Sequence, residues 1–500
     1  MSVTKKSFLQ PLDRVAIALI AVLGLLTALV LFQGDAIAPR VRDFSWQNKR
    51  IGVEDTAFYL NFSRPMDTKS VEANLQIDPT LPGKISWAGR KMAYTLLSPP
   101  AYGTSYQVKL NGALDRFSKT NTNSIQSFTG AFTSRDRAFA YLGVEGEEQG
   151  KLVLYNLTTQ QKTILTPKDL VVGDFQPYPT GNKILFSATE RASDRSSLPL
   201  AQLYTVTTGI SPEPKSKNNP PLGRVELVLD SKDYQNLKFD LSADGKTILV
   251  QRVNQKNPGD FGLWILPSSN DNTLPKAQLL KSQPGGDFLI TPDSKSVAVA
   301  QGQGVAILPL ITQATKPLDF LPKFGMVLEF SPDGSQAAMI RFNSDYTRSL
   351  FLVNNQGLQK ELLRTTGSIN SCIFHPVLSN LYCMLTQLIE GEVYQEQPYL
   401  AAIDLNSGKQ TPLIVMPEQR DVQISLSPDG LALLLDQIVT SAAPNTSPQI
   451  NVPRTSDGEA ISTSRLWLVP LFVPASISTT PNQIQPEQLP LPGFHPRWLP

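Results

Sequence analysis

Histidine and cysteine are scarce in this chain of 500 residues, which contains 2 of each. Zinc centres, iron–sulfur clusters, haem ligation by paired histidines and histidine-dependent triads need more of these side chains. His375 and His495 have no second histidine, cysteine or acidic cluster near them in the sequence. We therefore assign no catalytic residue, no metal ligand and no cofactor.

Two acidic pairs could in principle do glycosidase chemistry, because that reaction uses two carboxyl groups on opposite sides of a sugar. The pairs are Glu147 with Glu148 and Glu390 with Glu392, and each falls in a connection between expected strands. We interpret both pairs as solvated loop charges.

Charge and composition restrict the partners and the fold. The chain has 45 Lys+Arg against 43 Asp+Glu, and no segment concentrates the basic side chains. A nucleic-acid partner is therefore not expected. The length suits two or three domains. The 40 prolines and the charged fraction of 18% are typical of short strands joined by tight turns, which predicts an all-β protein.

The N-terminus predicts a membrane anchor. Basic residues precede an uninterrupted apolar run of 18 residues, Val15 to Phe32, which as a helix reaches about 27 Å across a hydrocarbon core of about 30 Å. We predict a transmembrane signal-anchor helix over 15–32, a cytoplasmic tail over 1–14 and a linker over 33–40. Ala36-Ile37-Ala38 imitates a cleavage site, so removal of the segment stays open. The predicted location is the bacterial inner (plasma) membrane, crossed once, with the globular domains extracytoplasmic.

Residues 41–133 alternate apolar and polar side chains between turns, which is typical of an antiparallel β-sandwich. The segment carries Phe62-Ser63-Arg64-Pro65-Met66-Asp67, then Trp87, Thr104-Ser105-Tyr106 and Ala113-Leu114-Asp115. With these motifs it resembles the bacterial Ig-like domain of S-layer and envelope proteins (SbsA-type). The resemblance implies a spacer or an adhesive module. We interpret the first motif as a strand followed by a turn, in which the aspartate binds its own backbone.

A hairpin unit recurs from residue 134 to the C-terminus. Its clearest copies are FSPDGSQAAMI (330–340) and LSPDGLALLL (426–435), and its aspartate position recurs at 136, 180, 244, 293, 333, 377 and 429. These intervals suit one four-stranded blade each, so the repeat predicts a β-propeller. The last strand, within residues 493–500, has no turn after it and is expected to complete blade 1. Seven blades result, with six or eight as alternatives.

Residues 134–500 resemble the TolB-type propeller repeats, which also occur in prolyl oligopeptidases. The resemblance implies a fold and no particular activity. In the peptidases a separate hydrolase domain performs the reaction, and this chain has neither that domain nor a G-x-S-x-G elbow. The Tol-Pal system is not implied either, because the N-terminal module differs from that of TolB.

The two cysteines flank the turn of the sixth hairpin, at Cys372 and Cys383. They should face each other across two strands, with Cβ atoms about 4.5–5.5 Å apart. A cross-strand disulfide and a pair of packed thiols are both compatible with this arrangement.

Long connections between the second and third strands of the blades predict a binding surface. Successive strands reverse direction, so these connections share one face of the propeller, here called the rim. Loops on a rigid scaffold commonly carry binding residues, and arginine and aromatic side chains are common at interface hot spots. We predict a partner surface at Arg191, Arg195, Arg252, Asp260, Phe261, Arg341, Tyr346, Arg348 and Tyr394. The longest connection, 440–464, is expected to be a disordered loop.

Two functions fit these features. The first is a non-catalytic, membrane-anchored extracytoplasmic scaffold or binding protein whose propeller engages a protein or an envelope polymer. The alternative is a propeller enzyme, a hydrolase or lyase, that acts on envelope glycans. Carboxylates and arginines that converge at the channel mouth would favour the enzyme, and an exposed hydrophobic or mixed surface would favour the scaffold.

Overall fold

The computed structural model describes residues 11–32, 38–116, 124–191, 200–210, 221–267, 276–281, 285–310, 317–389, 391, 395–416, 422–440, 453–455, 459–471 and 485–500. In the first of these ranges, side chains are described from residue 14 to residue 27. The chain divides into two compact units, Met1–Ser134 and Arg135–Pro500.

The N-terminal segment corrects the membrane prediction. Helix α1 (Pro11–Phe32) forms, but nowhere in the described residues is a helix both long enough and apolar enough to span a bilayer. The predicted transmembrane helix over 15–32 and the single-pass inner-membrane location are therefore wrong.

The first unit contains two four-stranded sheets, with strand orders β1-β3-β6-β5 and β2-β8-β7-β4. The neighbouring strands are antiparallel except for the parallel pair β2 and β8. The elements are β1 (Val41–Phe44), β2 (Arg50–Ile51), β3 (Ala57–Phe62), α2 (Thr68–Asn74), β4 (Leu75–Asp78), β5 (Gly83–Ala88), β6 (Lys91–Leu96), β7 (Ser105–Leu110) and β8 (Phe128–Ser134).

One apolar core lies between the two sheets. Phe58, Leu60 and Phe62 alternate along β3 and are buried, and they share a cluster with Val108 of β7 and Phe132 of β8. A period of two along a strand puts every second side chain on the same face. This alternation accounts for the two-layer arrangement.

The FSRPMD motif ends in a helix rather than in an isolated turn. Asp67 precedes α2, and its carboxylate accepts the backbone N–H of Ser70 at 2.7 Å. Aspartate at this position satisfies a backbone donor that the first turn of a helix leaves unpaired. Asp67 therefore binds the local backbone as predicted, but it does so as the N-cap of a helix and not in an isolated turn.

The described residues of the second unit form seven antiparallel four-stranded sheets. In chain order, blade 1 contributes β9 (Ala138–Gly143), β10 (Leu152–Asn156) and β11 (Gln161–Ile164); blade 2, β12 (Leu170–Pro177), β13 (Lys183–Glu190), β14 (Gln202–Thr207) and β15 (Val225–Leu229); blade 3, β16 (Tyr234–Leu241), β17 (Thr247–Asn254), β18 (Phe261–Pro267) and β19 (Gln278–Leu280); and blade 4, β20 (Phe288–Ile290), β21 (Ser296–Gln301), β22 (Gly304–Pro309) and β23 (Asp319–Pro322).

The remaining blades follow the same plan. Blade 5 contains β24 (Met326–Phe330), β25 (Gln336–Phe342), β26 (Arg348–Asn354) and β27 (Gln359–Thr365); blade 6, β28 (Ile369–Phe374), β29 (Asn380–Ile389), β30 (Gln395–Asp404) and β31 (Gln410–Val415); and blade 7, β32 (Ile424–Leu426), β33 (Ala432–Thr440), β34 (Ile461–Pro470) and β35 (Glu487–Leu489). A short 3-10 helix, Gly146–Glu148, follows β9.

The C-terminal strand closes the ring. Strand β36 (Gly493–Trp498) pairs with β9, so that Phe494 faces Leu142 and Trp498 faces Phe139. The first and last parts of the unit therefore share blade 1, as expected from the unpaired terminal strand. The innermost strand of each blade is β36, β12, β16, β20, β24, β28 or β32.

The tight turns after the innermost strands share one hydrogen-bond pattern. Ser242, Thr291, Ser331 and Ser427 each donate a hydroxyl to the aspartate two residues later, at 2.5–2.6 Å. Each hydroxyl also accepts the backbone N–H five residues on. The hydroxyl of Ser331 lowers the pKa of Asp333 to about 2. The repeated motif thus builds turns.

The structure also tests the predictions for the cysteine pair and for the loop 440–464. Cys372 and Cys383 are directly opposite each other on β28 and β29, and the structure joins them in a disulfide with Cα atoms 4.1 Å apart. The predicted loop 440–464 is too long, because Ile461 to Ser464 pair with β33 as part of β34. Residues 441–452 and 456–458 of that loop lie outside the described residues.

Candidate functional site

One residue from each blade occupies the same place beside the ring axis. It is the penultimate residue of the innermost strand, and the innermost strands of a propeller line its central channel. In order round the ring they are Arg497, Gln176, Asp240, Leu289, Glu329, Ile373 and Ser425. We call this set the channel layer.

Asp240 ties three blades together within this layer. Its Oδ1 accepts the side-chain N–H of Gln176 in blade 2 at 3.2 Å, and its Oδ2 accepts the backbone N–H of Ile290 in blade 4 at 2.7 Å. Innermost strands expose backbone donors along their free edge, and this carboxyl satisfies one of them. Burial raises the pKa of Asp240, and the hydrogen bonds oppose the shift. Both oxygens therefore have structural partners.

Arg497 lies in a polar group formed by blades 1 and 2. Its Nε donates to Nε2 of His495 at 3.0 Å, and its terminal nitrogen lies 3.5 Å from Oδ1 of Asp174. The guanidinium centre is 5.8 Å from the ring centroid of Phe175. The same Nε2 lies 3.5 Å from Oδ1 of Asp174. The arginine is positioned but still partly exposed.

Glu329 is the channel-layer residue that remains available. Among the residues that the structure describes, it has no hydrogen bond and no ion pair. Part of its side chain is accessible, yet enclosure by protein raises its pKa to about 8, with a smaller increase from Asp240 and a decrease from Arg497. These three residues belong to blades 5, 3 and 1. Blades that are not neighbours can influence one another this way only through the central channel.

The channel layer thus places a neutral carboxylic acid near a guanidinium. Below pH 8 the carboxyl of Glu329 is protonated and can donate a hydrogen bond as well as accept one. Arg497 supplies a fixed positive charge with several donors. Together they can hold a carboxylate, a carbonyl or a hydroxyl-rich group that enters the channel.

The predicted rim arginines are largely engaged with their own chain. Arg252 is 7% exposed, donates to Oδ1 of Asn236 at 2.9 Å, and lies over the rings of Tyr234 and Trp264. Arg341 lies over two rings as well, 4.3 Å from that of Phe351. Their guanidinium groups hold strands and loops in place.

Some of the other rim residues also bond to their own chain, and others are exposed. Arg191 and Arg348 donate to backbone carbonyls, of Lys168 at 2.9 Å and of Gly367 at 2.8 Å. Asp260 accepts the hydroxyl of Tyr234 at 2.6 Å. Phe261, at the start of β18, is partly buried, whereas Tyr346 is 93% exposed. Arg195 and Tyr394 lie outside the described residues. Partner binding at these positions stays a prediction.

The acidic pair at Glu147 and Glu148 behaves differently from its interpretation. Glu148 is buried, accepts the hydroxyl of Tyr141 at 2.9 Å and pairs with Lys162. The solvated-loop interpretation is therefore wrong for Glu148, because it ends the 3-10 helix Gly146–Glu148 with its side chain buried. Glu390 and Glu392 lie outside the described residues. His375 replaces the usual serine of its turn, and its Nδ1 accepts two backbone N–H groups, of Val377 and Leu378.

Sequence reasoning missed the channel layer, although a signal for it exists. In five blades the layer residue stands two positions before the Ser, Thr or His that opens the turn. In these five blades that position holds three polar residues, Asp240, Glu329 and Ser425, and two apolar ones, Leu289 and Ile373. Within the described part of the chain, no group of three or more His, Cys, Asp or Glu side chains could hold a metal ion.

Comparison with known proteins adds little beyond the architecture. No protein-family model and no curated protein matches the chain. Solved structures similar to it include TolB from Acinetobacter baumannii, at 12% identity over 85% of this chain and 83% of that one, with a TM-score of 0.37. An oligogalacturonate lyase in complex with manganese is 11% identical over 67% of this chain and 95% of that one, with a TM-score of 0.42.

A puromycin hydrolase is also similar, at 12% identity over 78% of this chain and 63% of that one, with a TM-score of 0.40. These structures include TolB-type propellers and propeller enzymes, and at such TM-scores they carry no argument about function. The propeller fold rests on the seven sheets and on their closure. The Ig-like assignment of residues 41–133 finds no support in these comparisons.

Proposed function

We propose that the second unit is a non-catalytic binding propeller that takes a polar group of a protein or polymer partner into its central channel. The observation that carries this proposal is Glu329, an enclosed but accessible carboxyl without a partner among the described residues, influenced by the charge of Arg497. Enclosure favours the neutral form of this carboxyl, which can both donate and accept a hydrogen bond to a polar group of a partner.

Catalysis by two carboxyl groups is less well supported. A glycosidase needs one carboxyl as acid and another as base or nucleophile, both free to react. Here both oxygens of Asp240 bond to neighbouring blades, and Asp174 lies beside Arg497 and His495. Of these three described carboxyl groups, only Glu329 has no hydrogen bond or ion pair to the chain.

One feature favours a second candidate, a propeller hydrolase or lyase acting on glycans. The raised pKa of Glu329, about 8, suits a general acid at neutral pH. In that function the proton of Glu329 is transferred in the reaction, whereas in the binding function it stays in place. The two candidates therefore differ in what an amide at this position does.

The test uses the full chain with tagged wild type and variants, captured partners identified by mass spectrometry, and glycan depolymerisation assayed on the same preparations. Glu329→Gln should retain the partner near pH 7, because a neutral amide replaces a neutral acid of the same shape. Glu329→Leu and Arg497→Met should each lose it. Glu361→Gln, on the exposed outer strand of the same blade, is the matched control.

The outcomes separate the alternatives. Glycan turnover by the wild type that Glu329→Gln abolishes would establish the enzyme. Capture that survives Glu329→Leu and Arg497→Met but fails in the triple variant of Phe261, Tyr346 and Arg348 would move the binding surface to the rim. Thermal unfolding of each variant shows that lost capture is not lost folding.

A further inference from the structure

We propose that a cleft in the first unit binds an oxyanion, the phosphate or sulfate group of a ligand, through Arg42, Arg90 and Lys91. The cleft has a volume of about 390 Å³, and Asn61, Phe62 and Ala88 complete its lining. It belongs to a different unit from the channel layer, so the proposal is independent of the proposed function.

Apart from the buried Phe62, the sheet order brings these side chains together on the face away from the core. Along β3, Leu60 and Phe62 are buried, and Asn61 between them points to the other face. Asn61 faces Lys91 of β6, which in turn faces Ala88 of β5. Neighbouring strands lie about 4.8 Å apart, so this row forms a continuous strip across the sheet.

Arg42 and Arg90 join the strip from its two irregular places. The register between β1 and β3 shifts between Val41 and Asp43, so Arg42 is the extra residue of a β-bulge. A bulge releases a residue from the ladder and changes the direction of its side chain. Arg90 lies in the turn between β5 and β6. Both positions direct a guanidinium towards the strip without interrupting the sheet.

The three cationic side chains of the cleft form no ion pair with the described residues. No carboxylate lines the cleft, and no ion pair joins Arg42, Arg90 or Lys91 to an acidic side chain there. The nearest strand neighbour with a carboxylate, Asp43, accepts the side-chain N–H of Asn61 at 3.3 Å. Like charges gathered in one place repel one another, and a bound anion removes that repulsion.

The donors are partly fixed before a ligand arrives. The ammonium of Lys91 lies 3.8 Å from the ring centroid of Tyr59, and a terminal nitrogen of Arg90 donates to the carbonyl of Ser63 at 3.4 Å. Each guanidinium keeps other N–H groups in the fork geometry that matches two oxygens of one anion. Two guanidinium groups and one ammonium around a single cleft suit a tetrahedral oxyanion.

Isothermal titration of the full chain with sodium phosphate and with tripolyphosphate, at low ionic strength, tests the site. We expect Arg42→Ala/Arg90→Ala/Lys91→Ala to weaken tripolyphosphate binding at least tenfold. The matched control Lys49→Ala/Lys69→Ala/Lys84→Ala removes the same charge from exposed positions outside the cleft lining and should change the affinity less than twofold. Arg42→Lys/Arg90→Lys keeps the charge and should show an intermediate loss.

Equal losses in the two alanine triples, or unchanged binding in the cleft triple, would overturn the proposal in favour of unspecific attraction. If phosphate and tripolyphosphate bind with similar dissociation constants, the cleft takes a single oxyanion. If tripolyphosphate binds much more tightly, the cleft takes a ligand with several linked anionic groups. Because all three cleft residues are exposed, the variants should unfold at the wild-type temperature.

Discussion

Arginine has different roles in the rim and in the channel layer of the same propeller. At the rim, Arg252 and Arg341 lie over aromatic rings and donate to nearby side chains. In the channel, Arg497 keeps part of its surface accessible and influences the charge of Glu329 across the ring. Residue type and loop length suggested that the rim binds a partner, yet the carboxyl of Glu329, which has no partner among the described residues, lies in the channel.

The difference follows from what each region already satisfies. A rim loop can fold back on its own blade, so its arginines find carbonyls and rings within the chain. The channel is bounded by strand edges from blades that cannot pack against one another across it. Polar side chains there either bond to the next blade, as Asp240 does, or stay available, as Glu329 does.

The largest expected effect is at the rim. Arg252→Ala should reduce the free energy of unfolding by about 2–4 kcal/mol, because it leaves Asn236 and the rings of Tyr234 and Trp264 without their buried partner. Urea denaturation measures this loss. Arg364→Ala, which removes an exposed ion pair with Asp345, should cost less than about 1 kcal/mol. Similar losses in both variants would contradict the structural role of Arg252.

Glu329→Gln should stabilise the propeller at alkaline pH and flatten its pH dependence. The folded pKa of Glu329, about 8, is higher than in an unfolded chain, so its contribution is complete below about pH 4.3 and is lost as pH rises to 8. We expect the amide to raise the free energy of unfolding by about 1–3 kcal/mol at pH 8. Denaturation at pH 5, 7 and 8 measures it, with Glu361→Gln as control. If the free energy of unfolding of Glu329→Gln depended on pH as that of the wild type does, the raised pKa of Glu329 would be excluded as the cause of this pH dependence.

The turn aspartates should make the propeller sensitive to acid. Hydroxyl groups lower the pKa of Asp244, Asp293 and Asp333. Stability from these groups is present above the unfolded pKa of about 3.9 and is lost as pH falls towards 2. The melting temperature should therefore fall between pH 4 and pH 2, and Asp333→Asn should reduce the size of that fall. An unchanged fall would show that other carboxylates cause it.

Tyr346→Ala is expected to have the smallest effect. The side chain is 93% exposed, so its loss should change the free energy of unfolding by less than about 0.5 kcal/mol. Partner capture by the folded variant completes the comparison between the two regions. Retained capture agrees with a channel site, whereas its loss would give Tyr346 the binding role that residue type predicts.

Prediction succeeded where a short stretch of chain contains its own explanation. The turn of FSPDGSQAAMI needs only Ser331 and Asp333, and the pairing of Cys372 with Cys383 needs only one hairpin. The membrane prediction over 15–32 is wrong, because no helix among the described residues is both long enough and apolar enough to cross a bilayer. Glu148 was also misassigned, because a single turn decides whether a loop carboxylate faces water or Tyr141.

The sequence by itself determined the repeated blade, its turns and the closing strand, because hydrophobic alternation and turn residues act over a few positions. Only the tertiary structure decided the channel layer. Asp240, Glu329 and Arg497 are far apart along the chain and belong to blades that are not neighbours in the ring. Their charges interact only after seven blades close into a ring, and the distance across that ring depends on the packing of every blade between them.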